Sequence, residues 1–263
     1  MNQALCDHPL LVSGYFGKHI RTVYPAPADS EAIFFSNNAE FEPDVRARGW
    51  RFLFAPNHPV SDDYAVSSLQ AKYPKFLRFL GDYPEFSRFG HIIYFDHTVY
   101  WKPADTAWVQ KRHLPGKPAF LLRHQALDRT IESELRNAAE QPRYEQAMEA
   151  TRAWLAGLQS SGISLDARVD ATTIISYKSY ESILPLLDQV YEVMHRLRQP
   201  ECQIIWSCLA QRYPDLIQRA EWGELDPAWR VPLEGKRARR VRQLKQAIKA
   251  LIPRGAFTRG PNG

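Results

Sequence analysis

In the stretch GHIIYFDHTVYWKP (90–103), an apolar run of β-branched and aromatic residues ends on an acid, a histidine and a threonine. Glycine or asparagine would serve an ordinary turn. Asp96 and Thr98 instead offer a carboxylate and a hydroxyl, hard oxygen donors of the kind that Mg2+ or Mn2+ takes when it bridges to phosphates. Strand alternation puts Asp96 and Thr98 on one side of the chain and His97 on the other. Alone, the triplet also fits a capped turn with His97 packed under Trp101.

Neighbouring stretches add groups of related chemistry. VSGYFGKH (12–19) places Gly14 and Gly17 three apart, where backbone can approach a flat base or a phosphate closely. It lacks the G-x-G-x-x-G spacing of a dinucleotide fingerprint. FFSNN (34–38) ends a second apolar run on Ser36, Asn37 and Asn38, short polar groups suited to a base or ribose, or to a plain turn. SSLQAKYPKFLRF (67–79) sets Lys72 and Lys75 three residues apart on a helix, where an ammonium can neutralise a diphosphate or simply face solvent. AFLL (119–122) runs into Arg123 and His124, whose guanidinium and imidazole can bind sugar hydroxyls or phosphate oxygens. The other histidines His8, His19, His91 and His195 have no ligand-like spacing and read as structural, and Trp154 and Trp206 sit at helical core spacing.

These groups need elements to position them. Short β-branched or aromatic runs predict strands over 10–16, 32–36, 50–54, 91–95, 119–122 and 172–177. Helix-compatible segments cover about 62–80, 128–140, 143–160, 182–198, 201–213 and 236–251. Pro142 separates the second helix from the third, and Gly162 and Gly223 suit helix ends. Alternation of the two kinds predicts an α/β protein. In an open, largely parallel sheet, ligands bind beyond the carboxyl ends of the strands, which is where Asp96 falls.

Composition bounds the rest. A chain of 263 residues with 44% hydrophobic content can bury one sizeable core. Cys6, Cys202 and Cys208 are odd in number and lack zinc-like pairing, and no signal-peptide pattern opens the chain, so a reducing, cytoplasmic setting is expected. No apolar run is long enough to span a membrane. The net charge of +5 is uneven: nine of the 34 Lys and Arg lie in 235–263, which has no acid, leaving 25 basic against 29 acidic residues before it. A mildly acidic body with a basic tail argues against a nucleic-acid binder. Within the tail, Val241, Leu244, Ile248 and Leu251 form one apolar stripe on an otherwise basic helix, suited to packing on the core or to an anionic membrane surface.

Taken in order, GYFG, FFSNN, a GW-strand, the lysine-bearing helix, YFDHTVYW, FLLRH and a late helix with ECQIIWS resemble the glycosyltransferase-like domains of plant mucilage-related proteins and bacterial surface-polysaccharide loci, which are similar to GT-A enzymes. The resemblance spans roughly residues 10–220. It implies a GT-A-like, Rossmann-type mixed sheet flanked by helices over 1–225, followed by a basic amphipathic tail over 226–263. It further implies transfer of a sugar from a UDP- or GDP-sugar to a glycan or lipid-linked acceptor, in surface polysaccharide synthesis, at a Mn2+ or Mg2+ site. Asp96, His97 and Thr98 stand where such domains carry a metal-binding Asp-x-Asn or Asp-x-Asp element. Tyr15 and Phe16 join Gly14 and Gly17 in the donor site, and Gln203 matches the late Asp-Gln, with Cys202 in place of the acid. Glycosyl transfer also calls for a carboxylate near the reacting carbon or the acceptor hydroxyl; the candidates are Glu134, after LLRH, and Asp170, at the head of the ATTIISY strand. A noncatalytic nucleotide- or carbohydrate-binding protein of the same fold is the alternative.

Overall fold

A computed structural model describes residues 6, 8–20, 22–28, 30–55, 57–123 and 129–221. By its contacts the chain divides into Met1–Trp229 and Arg230–Gly263. The basic tail and its helix over 236–251 lie outside the described residues.

Seven strands form one mixed sheet among the described residues, in the order β3-β2-β1-β4-β6-β5-β7. They are β1 (Leu10–Gly14), β2 (Glu31–Ser36), β3 (Arg51–Phe54), β4 (His91–Phe95), β5 (Ala119–Arg123), β6 (Asp170–Lys178) and β7 (Ile217–Glu221). Only β6 runs against its neighbours, antiparallel to both β4 and β5. The α/β sheet flanked by helices agrees with the sequence reading, and each expected strand is present. Helices are α1 (Glu42–Arg46), α2 (Tyr64–Gln70), α3 (Lys72–Lys75), α4 (Phe79–Asp82), α5 (Pro103–Arg112), α6 (Ile131–Ala139), α7 (Glu145–Ser160), α8 (Leu184–Leu197) and α9 (Cys202–Leu209).

Strand alternation divides the interior in two. Leu10, Val12, Ile33, Phe35, Ile92 and Tyr94 join residues of α3, α8 and α9 on one face, while Leu11, Phe34, Phe52, Ile93 and Phe95 pack with α1 and α5 on the other. A third cluster lies between α6, α7 and α9. Fully buried strands of this kind read as near-continuous apolar runs, which is why the sequence marks them so clearly.

The single helix expected over 62–80 is three short ones. Pro74 has no N–H to bond the Gln70 carbonyl, so the chain breaks at Ala71 between α2 and α3. Leu77 then takes a left-handed conformation (φ 57°), which ends α3 before α4 begins. The result is a stub carrying Lys72 and Lys75 on the sheet. Near the opposite edge, β5 and β6 shift register, Leu121 facing Ile175 but Leu122 facing Ala171. A bulge like this re-aims side chains, and Thr172 meets Cys202 Sγ at 3.0 Å.

One buried polar group ties the amino end of β4 to β6. Ser176 Oγ lies 2.8 Å from His91 Nε2 and 2.9 Å from His113 Nδ1, and His113 Nε2 bonds the Lys117 carbonyl. A donor at Nε2 leaves Nδ1 of His113 as acceptor, so the Ser176 hydroxyl donates to His113 and accepts from His91. Both rings are neutral: burial lowers His91 to about 3 and His113 to about 4. Because their folded pKa values lie below the unfolded value near 6.5, the unfolded chain takes up more protons in the interval between. Stability is therefore intact above about pH 6.5 and falls as the pH drops toward 4. Urea unfolding from about pH 7.5 down to about pH 4.5 should show that loss, with both ring NMR signals still those of neutral imidazole at about pH 5; ring titration near pH 6.5 in the folded protein would contradict it.

Candidate functional site

From β1 the chain runs outward to β2 and β3, then returns to lay β4 on the other side of β1. Parallel strands whose connections leave in opposite directions open a crevice beyond their carboxyl ends. A cleft of about 380 Å³ occupies that place, lined by Gly14–His19 at the end of β1, by Tyr94 and Asp96–Thr98 at the end of β4, and by one side of the stretch between, including Asp62, Tyr64, Ser67 and Lys72. Gly14 is required there, since a Cβ would come within 2.8 Å of the Phe35 carbonyl oxygen and 3.3 Å of Pro74. Gly17 has φ 130°, a conformation that side chains resist.

Asp96, His97 and Thr98 all reach this cleft. The alternation expected of them does not hold, because the strand ends at Phe95 and the chain turns, Val99 N bonding the Asp96 carbonyl at 2.9 Å. His97 packs edge-on to Tyr15, with ring centroids 4.8 Å apart, while Trp101 stacks on Phe95. Burial lowers the His97 pKa, with Asp96 opposing the shift.

Beneath the cleft floor lies an ion pair. Lys75 Nζ is 2.9 Å from Asp96 Oδ1, and the side chains are 3% and 32% exposed. The Tyr94 hydroxyl donates to the same oxygen at 2.8 Å, and its ring lies 5.2 Å from the ammonium. Cys202 Sγ is 3.9 Å from Nζ, and Tyr177 donates to the Lys75 carbonyl at 2.8 Å. Burial works against both charges, yet the pairing outweighs it: Lys75 is raised despite burial, through Asp96, Cys202 and Glu201, and Asp96 is lowered despite burial, through Lys75 and Lys72. Both groups are ionised at neutral pH.

This arrangement is a poor fit to a divalent cation held by both oxygens of Asp96. Oδ1 of Asp96 already accepts two hydrogen bonds, and to bind metal through both oxygens the carboxylate would release Lys75, leaving a buried ammonium unpaired. Breaking such a buried pair costs on the order of 3–5 kcal/mol. Among the described residues, no three His, Cys, Asp or Glu side chains gather as metal ligands.

The remaining expected site residues are spread more widely. Asn37 accepts from Gly17 N at 3.0 Å and donates to the Pro59 carbonyl and Gln70, both at 3.1 Å, so its amide braces the glycine loop from below. Ser36 accepts from Asn38 N at 3.1 Å, and Asn38 caps the turn after β2 through Glu40 N at 3.0 Å. None of the three lines the cleft.

Neither candidate base stands at the cleft either. Glu134, 4% exposed, is held by Arg129 through two bonds of 2.7 and 3.1 Å. Asp170, 1% exposed, accepts from Arg219 Nε at 2.8 and 3.1 Å and from Trp206 Nε1 at 3.1 Å. The partly exposed arginines neutralise these buried carboxylates, which accounts for both acids in an apolar setting. Arg123 ends β5 opposite Asp170, on the sheet edge that carries the cleft. His124 lies outside the described residues, and Gln203 sits half-buried in the first turn of α9 beside Cys202.

Several lining residues escaped the sequence reading. Lys18 and Asp62 pair at 3.2 Å between the two loops of the cleft. Tyr64, 51% exposed, contributes a ring whose hydroxyl accepts from Arg143 at 3.0 Å. SDDY (61–64) carries a helix-start signature, Asp63 accepting from Ala65 N at 2.7 Å. That signature places a helix, but only the sheet order brings it to the cleft.

No family model and no curated protein matches the chain in sequence. Among solved structures, mouse xyloside xylosyltransferase 1 in its apo form aligns at 10% identity over 84% of this chain and 86% of that one, with a TM-score of 0.43. A glycosyltransferase involved in glycosylation of the major capsid of PBCV-1 aligns at 10% identity over 81% and 82%, TM-score 0.42. A CMP:2-keto-3-deoxy-manno-octonic acid synthetase complexed with CTP aligns at 11% identity over 92% and 100%, TM-score 0.43. Likeness this distant assigns no role to any residue of this chain.

The close approach at Gly14 yields a paired test. Gly14→Ala pushes a methyl group against backbone and should cost ~1–3 kcal/mol of stability. Gly81→Ala, with nothing within 4 Å of its Cβ, should be neutral or stabilising. Equal unfolding midpoints for the two variants would refute the packing argument.

Proposed function

We propose that this protein is a nucleotide-sugar-dependent glycosyltransferase of the GT-A type, taking a UDP- or GDP-sugar as donor and a glycan or lipid-linked acceptor in surface polysaccharide synthesis. The observation that carries the reading is the cleft at the β1/β4 crevice, where a glycine loop, Lys72 and Asp96 meet, with Lys75 paired to Asp96 beneath them. The loop from Gly14 to His19 lines the cleft, and the rings of Tyr15 and Tyr64 offer surface to a base or sugar. Positive charge fixed at the cleft floor favours the diphosphate that leaves as the glycosidic bond breaks, because charge developing on a leaving group is met by groups already in place. The order of sequence motifs supplies the glycosyl part of the reading.

A second reading has a specific observation behind it. Glu134 and Asp170 are both engaged by arginines away from the cleft, which favours a nucleotide- or carbohydrate-binding protein without turnover. Within either reading, we assign the basic residues of 235–263 to an anionic membrane surface and treat 226–263 as a separate tail. No helix among the described residues is long and apolar enough to cross a membrane.

Calorimetry with UDP, GDP and their nucleosides tests the diphosphate contact. Lys75→Met leaves Asp96 as a bare anion under the ligand, so affinity for the matching diphosphate should drop about tenfold or more, and that for its nucleoside by less than about twofold. Equal losses would make Lys75 structural. Incubation with a panel of UDP- and GDP-sugars should release the free diphosphate slowly even without acceptor; tight binding with no release would select the second reading.

A further inference from the structure

The cleft carries fixed positive charge in the place where a dication would otherwise be needed. Asp96, the carboxylate at its floor, turns Oδ1 to Lys75 at 2.9 Å and to the Tyr94 hydroxyl at 2.8 Å. Lys75 is held from several sides: its ammonium by Asp96 and Cys202, its carbonyl by Tyr177. Cys202 is fixed in turn by Thr172 at 3.0 Å. Three residues earlier on the same helical stub, Lys72 lines the cleft and is 9% exposed. Among the described residues no carboxylate lies within ion-pair distance of the Lys72 ammonium, and Asp96, already neutralised by Lys75, is the acid that feels its charge. Lys72 at the cleft wall and Lys75 just beneath its floor thus set two ammonium groups around the Asp96 carboxylate.

We propose that Lys72 and Lys75 take the part of a divalent cation here, so that the cleft binds its diphosphate through fixed ammonium charge and Asp96 positions Lys75 instead of coordinating a metal. This rests on the nucleotide-diphosphate reading above. Two consequences separate it from a metal site. Binding needs no divalent ion, and it survives exchange of the Asp96 carboxylate for an amide, because the amide oxygen can still accept from Lys75 and the bound diphosphate supplies the opposite charge.

Calorimetry on the full chain with UDP, GDP and inorganic pyrophosphate, first in excess EDTA and then with excess Mg2+ or Mn2+, decides it. UDP or GDP should bind in EDTA, with an affinity that changes by less than about threefold on adding metal. Lys72→Met should weaken that metal-free binding about tenfold or more. Asp96→Asn should still bind the diphosphate in EDTA, with folding checked by circular dichroism. Should Asp96→Asn fail to fold, the metal titration and Lys72→Met still separate ammonium binding from metal binding. Binding that appears only with metal, and vanishes in Asp96→Asn, overturns the inference while sparing the nucleotide reading. If neither UDP nor GDP binds under any of these conditions, the reading and the inference fall together.

Discussion

A lysine ammonium with 3% of its side chain exposed survives in a protein interior only beside an opposite charge, and the 2.9 Å contact with Asp96 supplies it. Much of the site follows from that pair. It fastens the α3 stub to the end of β4, it draws the Tyr94 hydroxyl to the same oxygen, and it fixes where Lys72 emerges. Cys202 and Thr172 close the other side of the ammonium, so the antiparallel strand β6 and helix α9 are tied into the same centre. Removing one partner of such a pair is far costlier than replacing both by apolar groups, because the survivor is left charged and buried. The pair is thus weak as a source of stability and strong as a constraint on geometry.

Topology does the remaining work. The crevice between β1 and β4 exists because the chain turns outward after one strand and returns for the other, and the glycine loop lets backbone lie against the crevice wall. Asn37 stabilises that loop by accepting from Gly17 N while its amide bonds the Pro59 carbonyl and Gln70. Residues from three separate stretches therefore hold the loop in register. A group that braces a loop in this way matters to binding without touching a ligand.

The sheet was legible because its inner strands are buried on both faces and stand out as unbroken apolar runs. Strand β7 was not, since IQRAE is an edge strand with polar, half-buried positions and no apolar run. Helix α5 escaped for a similar reason: its buried residues are Asp105, Thr106 and Val109, which leave no apolar stripe to detect. In the site, Asp96 could be found from a local signal, an acid at the end of an apolar run. The role of Asn37 could not, because its partners lie 20 to 33 residues away. Asp170 and Glu134 were visible as acids near strand and helix starts, but their arginine partners were not; Arg219 is 49 residues from Asp170.

The Lys18–Asp62 bridge joins the two loops that flank the cleft, with side chains 54% and 72% exposed. An ion pair that wet is worth roughly 0.2–1 kcal/mol, so it is no lock on the mouth of the cleft. Added salt loosens the bridge and at the same time screens the lysines beneath it. Ionic strength therefore pulls the encounter rate of an anionic ligand in two directions, through a wider mouth and a weaker attraction.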